Sequence, residues 1–127
     1  FLRALAIRRQ RLGVHPEVAE VLSDLAEVRT ARGDPRRALA LYDEALAIQE
    51  RTLERADRDL GETLYKLGRQ HRDVGDRGRA ERFLSRALAV FDALPSDDPE
   101  AREWTATVRV ALGSVREDGR KAPPAVR

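Results

Sequence analysis

The chain has 127 residues, enough for one small domain, with 42% hydrophobic and 36% charged residues and a formal net charge of +2. The absence of cysteine excludes a disulfide framework and thiolate metal sites. No apolar run reaches the roughly 18 residues of a membrane helix, and no signal-peptide pattern opens the chain, so the cytoplasm is the expected compartment. Nearly all the positive charge is arginine, Lys66 and Lys121 being the only lysines, and arginine favours planar, bidentate pairing with carboxylate or phosphate.

From Phe1 to about Arg11 the apolar residues Phe1, Leu2 and Leu5 follow a helical spacing that Leu12 continues. Phe1 to Ile7 is a truncated copy of Tyr42 to Ile48, so the chain is expected to begin inside a repeat of a longer array. Leu12-Gly13-Val14-His15 breaks the pattern, and Pro16 suits the first turn of a new helix. That helix is predicted to run to Arg32 with Val18, Val21, Leu22, Leu25 and Val28 as its apolar stripe. Gly33 supplies a left-handed end, Asp34 caps the next helix and Pro35 takes its first position. The second helix is predicted to reach about Arg55, burying Leu39, Leu41, Tyr42, Leu46, Ile48 and Leu53.

The pattern then starts again after 42 residues: His15 to Leu22 is answered by Asp57 to Leu64, Gly33-Asp34 by Gly75-Asp76, Ala38 by Ala80, and Ala45 to Ile48 by Ala87 to Val90. Asp57 or Asp59 is expected to cap, with Glu62 three residues after Asp59 as a capping box. Leu60, Leu64 and Leu67 form the next stripe, and Gly68 is small where two helices must approach. After the Gly75-Asp76 turn a helix to about Leu94 should bury Ala80, Phe83, Leu84, Ala87, Leu88, Val90 and Phe91. Pro95 to Pro99 is a stop followed by a new start. A last helix is predicted from Pro99 to about Glu117, with Trp104, Val108, Ala111, Leu112 and Val115 on one face. Its best register sets Gly119 opposite Gly75, a step of 44. Pro123-Pro124 blocks any further helix.

A fixed period of this size marks a solenoid whose units bury their apolar faces only against neighbours. The expected fold is an all-α, right-handed α-solenoid of antiparallel helix pairs, with about five helices. Its array is predicted over residues 1–119: the second helix of a truncated repeat at 1–12, repeats at 15–56 and 57–97, and the first helix of a last repeat at 98–119. Residues 120–127 read as a tail or linker. Phe1, Leu5, Trp104 and Val108 are expected to lie on open array ends and to support self-association or pairing with further repeats.

Helix pairs hinged at Gly-Asp resemble the tetratricopeptide repeat. The second repeat carries Leu64-x2-Leu67-Gly68-x2-His71, Ala80-x3-Leu84 and Ala87; the first carries Leu22-x2-Leu25-Ala26-x2-Arg29, Ala38-x3-Tyr42 and Ala45. Leucine replaces the motif's tryptophan in both, and Arg29 and His71 replace its tyrosine. The 42-residue step and the Ala-Leu-Ala-Ile ending resemble the longer kinesin-light-chain subtype, abundant in bacterial signalling proteins. The resemblance implies binding of peptides or partner proteins along a concave face lined by the first helix of each pair. The subtype's Asn-Asn pair is replaced by Ser23-Asp24 and Tyr65-Lys66, and the residues of the chaperone-tail clamp are absent at Ser23 and Glu27, so neither ligand class carries over.

His15 and His71 lie in no metal-ligand spacing, Ser23, Ser85, Ser96 and Ser114 have no nucleophile-elbow context, and Gly75 to Gly78 follows no strand. No catalytic site, metal or cofactor is therefore expected. The candidate groove comprises Glu20, Ser23, Asp24, Glu27 and Thr30 in the first repeat and Glu62, Tyr65, Lys66, Arg69 and Arg72 in the second, with Arg109 and Arg116 in the last helix. It would run from acidic to basic, its basic half taking carboxylates, although a solvated face fits the same charges. The expected function is a protein–protein interaction module of a larger, bacterial regulatory protein. The alternative is a regulatory domain of an enzyme or effector, an NTPase or protease, whose catalytic part lies outside this segment. The acidic first repeat and small net charge argue against nucleic acid as the partner.

Overall fold

The Gly-Asp pairs turn the chain where their backbone chemistry requires it. Gly33 has φ +77° and Gly75 has φ +86°, the left-handed region that glycine enters without a Cβ penalty. At the second turn the Asp76 N–H donates to the His71 carbonyl at 2.8 Å and the Gly75 N–H to the Arg72 carbonyl at 3.0 Å. The first turn repeats this pair of bonds, from Asp34 to Arg29 at 2.9 Å and from Gly33 to Thr30 at 3.0 Å. Both are Schellman closures, which satisfy the last helical carbonyls. The Asp34 and Asp76 carboxylates then accept from the N–H of Arg37 at 3.3 Å and of Arg79 at 3.1 Å, starting the next helix.

The computed structural model describes residues 16–52 and 57–121, which form five α-helices and no strand. They are α1 (Pro16–Ala31), α2 (Pro35–Thr52), α3 (Arg58–Asp73), α4 (Arg77–Asp92) and α5 (Pro99–Lys121). The helices α1 and α2 pack as one antiparallel pair and α3 and α4 as a second; α2 packs on α3, and α5 packs on α4 with a lighter contact to α3. The all-α solenoid expected from the repeat is thus the fold. The segment from Phe1 to Leu12, with Phe1 and Leu5, and also Leu53 and the 122–127 tail, lie outside the described residues.

The core follows the predicted stripes closely. Leu22, Leu25, Tyr42, Leu46, Leu60, Leu64, Leu67, Leu84, Phe91, Val108, Leu112 and Val115 are all buried. Burial in α5 supports the 44-residue step: Val108 answers Leu64, Leu112 answers Gly68 and Val115 answers His71. Val28 departs from its predicted place, at 40% exposed, because it sits in the last two turns of α1, at the edge of that stripe. Gly119 also departs. It lies inside α5, which continues to Lys121; Arg120 follows it where Asp follows Gly33 and Gly75, so no cap rewards a left-handed turn.

Ion pairs tie one element to the next. Arg58 at the start of α3 reaches Asp98 at 2.7 Å and Glu100 at 2.8 Å. Asp98 in turn accepts from the N–H groups of Glu100 and Ala101, capping α5. Those backbone bonds, with the Arg58 guanidinium, hold its carboxyl below the usual aspartate range. The α3 cap is Asp57, whose carboxylate accepts from the Asp59 N–H at 2.8 Å, so the box predicted on Asp59 and Glu62 is not the capping device.

Candidate functional site

Helices α1 and α3 are the first helices of the two pairs, and clefts open between α1 and α3 and between α3 and α5. The first lies between α3 and α5. Its α3 wall is Tyr65, Arg69 and Arg72; its α5 wall is Ala106, Thr107, Val110, Ala111 and Ser114, enclosing about 590 Å³. The helical spacing explains the walls: Tyr65, Arg69 and Arg72 fall at i, i+4 and i+7, and Ala106, Val110 and Ser114 repeat every four residues. The Arg69 guanidinium lies 5.7 Å from the Tyr65 ring centroid, a cation–π stack. Arg72 is drawn to Asp118 of α5, Nε to Oδ2 at 2.9 Å. Val110 faces this basic cleft while 71% exposed, an apolar side chain offered to solvent.

The Tyr65 ring is held from behind. It meets Trp104 edge-on at 5.4 Å, and Trp104 stacks on buried Phe91 at 5.4 Å with only 5° between the rings. Trp104 is therefore part of the α3–α4–α5 packing, and Val108 is 0% exposed. The expectation that these two residues form an open flank is corrected: they face inward because α5 uses them to close on α3 and α4. Sequence reading missed the device that admits Phe91, which is Gly61: a Cβ there would lie 2.7 Å from Phe91 Cζ.

The second cleft lies between α1 and α3 and encloses about 230 Å³. Glu20, Ser23 and Asp24 line it from α1, Glu62 and Lys66 from α3, and Gln49 from α2 beneath. Burial first, and then neighbouring Asp59, push the Glu62 carboxyl above the usual range. Lys66 Nζ reaches Glu27 Oε1 at 2.5 Å, bridging the two repeats. Below this bridge Tyr42 is 2% exposed, and burial, with Glu27 next, pushes its hydroxyl up to about 12. Thr30 is committed to structure: its hydroxyl donates to the Ala26 carbonyl at 3.1 Å and accepts from Gln70 Nε2 at 2.8 Å.

The sequence-predicted groove residues thus divide. Tyr65, Arg69 and Arg72 share the basic cleft, while Glu20, Ser23, Asp24, Glu62 and Lys66 share the acidic one. Glu27 is engaged with Lys66 between them. Arg109 is exposed on α5 and does not line the α3–α5 cleft, whose α5 wall is offset from it around the helix. Arg116 reaches instead to Glu81 of α4 at 2.9 Å.

His71 takes the tyrosine position of the repeat and keeps an aromatic contact there, stacked on Phe83 at 5.2 Å and 5°. It is 5% exposed, and burial lowers its pKa against the opposing pull of Asp43 and Asp76. Among the described residues no group of three or more His, Cys, Asp or Glu is placed to hold a metal ion, and no helix is long and apolar enough to cross a membrane.

A family model described as tetratricopeptide repeat matches residues 1–51. Solved structures resemble the chain over nearly its whole length. Two are of the nearly identical TPR-like repeats of a protein from Podosopora anserina described as a kinesin light chain. One has 25% identity and a TM-score of 0.70 over 91% of this chain and 57% of that one; the other has 22% identity and 0.70 over 96% and 65%. BtubC (BKLC) from P. vanneervenii has 23% identity and a TM-score of 0.71 over 98% of this chain and 57% of its own. The chain therefore spans between 57% and 65% of the length of these structures. No curated protein matches it.

Proposed function

From the premise that the chain is a tetratricopeptide-repeat array of the kinesin-light-chain-like type, we propose that it is a peptide-binding module of a larger, bacterial, cytoplasmic regulatory protein. Repeats of this kind mediate protein–protein interaction in general. The site proposed is the groove along α1, α3 and α5, with Tyr65, Arg69 and Arg72 as its basic half. The observation that carries this reading is the exposed Val110 set opposite those three residues. An apolar contact beside two guanidinium groups suits an extended peptide with an acidic residue next to an apolar one. The polarity of the groove, acidic between α1 and α3 and basic between α3 and α5, gives the peptide a direction.

The reading assigns the chain no chemistry of its own. The scaffold fold is typically non-catalytic. The test is a pull-down with this segment followed by peptide mapping of what it retains. The mapped peptide should carry an acidic residue, and its affinity should fall between low and high salt. A peptide without acidic residues, bound equally at both salt concentrations, would place the site elsewhere.

A further inference from the structure

We propose that the acidic cleft between α1 and α3 is a subsite for a cationic side chain, a guanidinium or an ammonium, of a peptide lying in the same groove. It rests on the groove reading above and names a second chemistry for the partner.

The charge is one-sided. Glu20 and Asp24 of α1 and Glu62 of α3 line the cleft without an ion pair among the described residues, and Glu17 and Asp59 line it as well. Among the described residues the one base lining it, Lys66, is held by Glu27. A cation entering here meets three carboxylates that form no direct ion pair, Glu62 feeling Lys66 and Arg58 only at a distance. The Glu62 carboxyl is raised chiefly by its burial and then by neighbouring Asp59.

An independent observation points the same way. Gln49 is 6% exposed and lines the cleft, yet its Oε1 has no hydrogen-bond partner. The 42-residue step sets Gln49 where the second pair has Phe91 and sets Ala19 where it has Gly61. In the second pair the aromatic ring fills that position and stacks on Trp104. In the first pair the same core position carries a polar side chain with an unsatisfied acceptor. Leaving a buried acceptor unpaired costs free energy, and a turn of the Gln49 amide toward the cleft it lines would let a ligand N–H satisfy it. Among the described residues no group of three or more His, Cys, Asp or Glu is placed to hold a metal ion, and the Gln49 acceptor calls for a cation that brings its own N–H groups. Guanidinium and ammonium both do, and both pair with carboxylates.

The two clefts lie on adjacent faces of α3. Glu62 and Arg69 are seven residues apart, about 10 Å along the helix axis, which an extended chain covers in about three residues. The partner would then carry a basic and an acidic residue about three positions apart.

The experiment titrates the isotopically labelled chain with three end-blocked peptides on a glycine–serine–alanine background. One carries a single arginine, one a single glutamate, and one both, three positions apart; backbone amide shifts are followed. The arginine peptide should move the amides of Glu20, Asp24, Glu62 and Thr63. The Asp24→Asn, Glu62→Gln variant should weaken it at least ~5-fold, as expected for lost charge-assisted bonds, and leave the glutamate peptide's response at Arg69 and Arg72 intact. Gln49→Met, which keeps the volume and removes the acceptor, should weaken the arginine peptide without lowering the melting temperature. The third peptide should bind more tightly than either of the others. Suppose the arginine response is absent, scattered over the surface or indifferent to these variants, while the glutamate peptide still binds at Arg69 and Arg72. The cationic subsite is then overturned and the groove stands. Silence from all three peptides overturns both.

Discussion

Gly68 of α3 and Leu84 of α4 face each other so closely that a Cβ on Gly68 would lie 2.6 Å from Leu84 Cγ and 3.3 Å from the Ala80 carbonyl oxygen. The first pair solves the same crossing with Ala26 against Tyr42, both buried. Gly68→Leu should therefore overpack the α3–α4 contact and destabilise the fold by about 1–3 kcal/mol. Thermal or urea melts measure this directly; an unchanged midpoint would mean that the two helices separate without cost.

The Gly75 turn has open space around it, with nothing within 4 Å of a built Cβ, so only its φ of +86° constrains the residue. Gly75→Ala should cost about 1–2 kcal/mol through left-handed strain alone. Gly119→Ala, inside α5, should instead be neutral or slightly stabilising, since alanine is the better helix former by about 1 kcal/mol. Melts should show a clear drop for Gly75→Ala and no drop for Gly119→Ala.

His71 makes stability depend on pH. Its folded pKa lies below the ordinary 6.5 because burial disfavours the charged ring, and Arg79 adds to this against Asp43 and Asp76. The unfolded chain thus binds the proton more readily, so this contribution is intact above the unfolded value and is lost as pH falls below it. The melting temperature should drop between about pH 7.5 and about pH 5.5, on either side of the ordinary histidine value. His71→Tyr, the residue usual at this position of the repeat, should show a smaller drop. Equal drops in both proteins would assign the effect to the carboxylates.

Much of this fold is legible in the sequence because its signals are local. Gly33 and Gly75 each precede an aspartate that caps, and the apolar stripes repeat at helical spacing, so helix ends and most core residues follow from nearest neighbours. Gly119 misleads because the same glycine without a following aspartate stays helical. Phe91 against Gly61, and Trp104 between Phe91 and Tyr65, are harder to read, since each contact joins residues on different helices whose facing depends on the packing. The candidate site divides in the same way. Tyr65, Arg69 and Arg72 share a helical face and could be grouped from spacing, whereas the α5 wall built by Ala106, Val110 and Ser114 depends on how α5 docks. That docking leaves Arg109 outside the cleft. Gln49 as a buried polar residue carries a signal that the repeat alignment does contain, since it replaces Phe91 at the 42-residue step.

The most direct test of the account is the affinity of the mapped peptide for the chain and for its Arg69→Glu, Arg72→Glu variant, at low and high salt. Arg69 and Arg72 are exposed in the free chain, and once a bound peptide covers them charge-assisted bonds contribute about 1.5–3 kcal/mol each, so the double reversal should weaken binding at least ~10-fold, and raised salt should weaken the parent complex. The melting temperature should barely move, because the Arg72–Asp118 pair is 40% and 44% exposed and such pairs contribute only about 0–1 kcal/mol. Binding that is indifferent to both reversals and to salt would show that the basic cleft is a solvated surface, and would contradict the account.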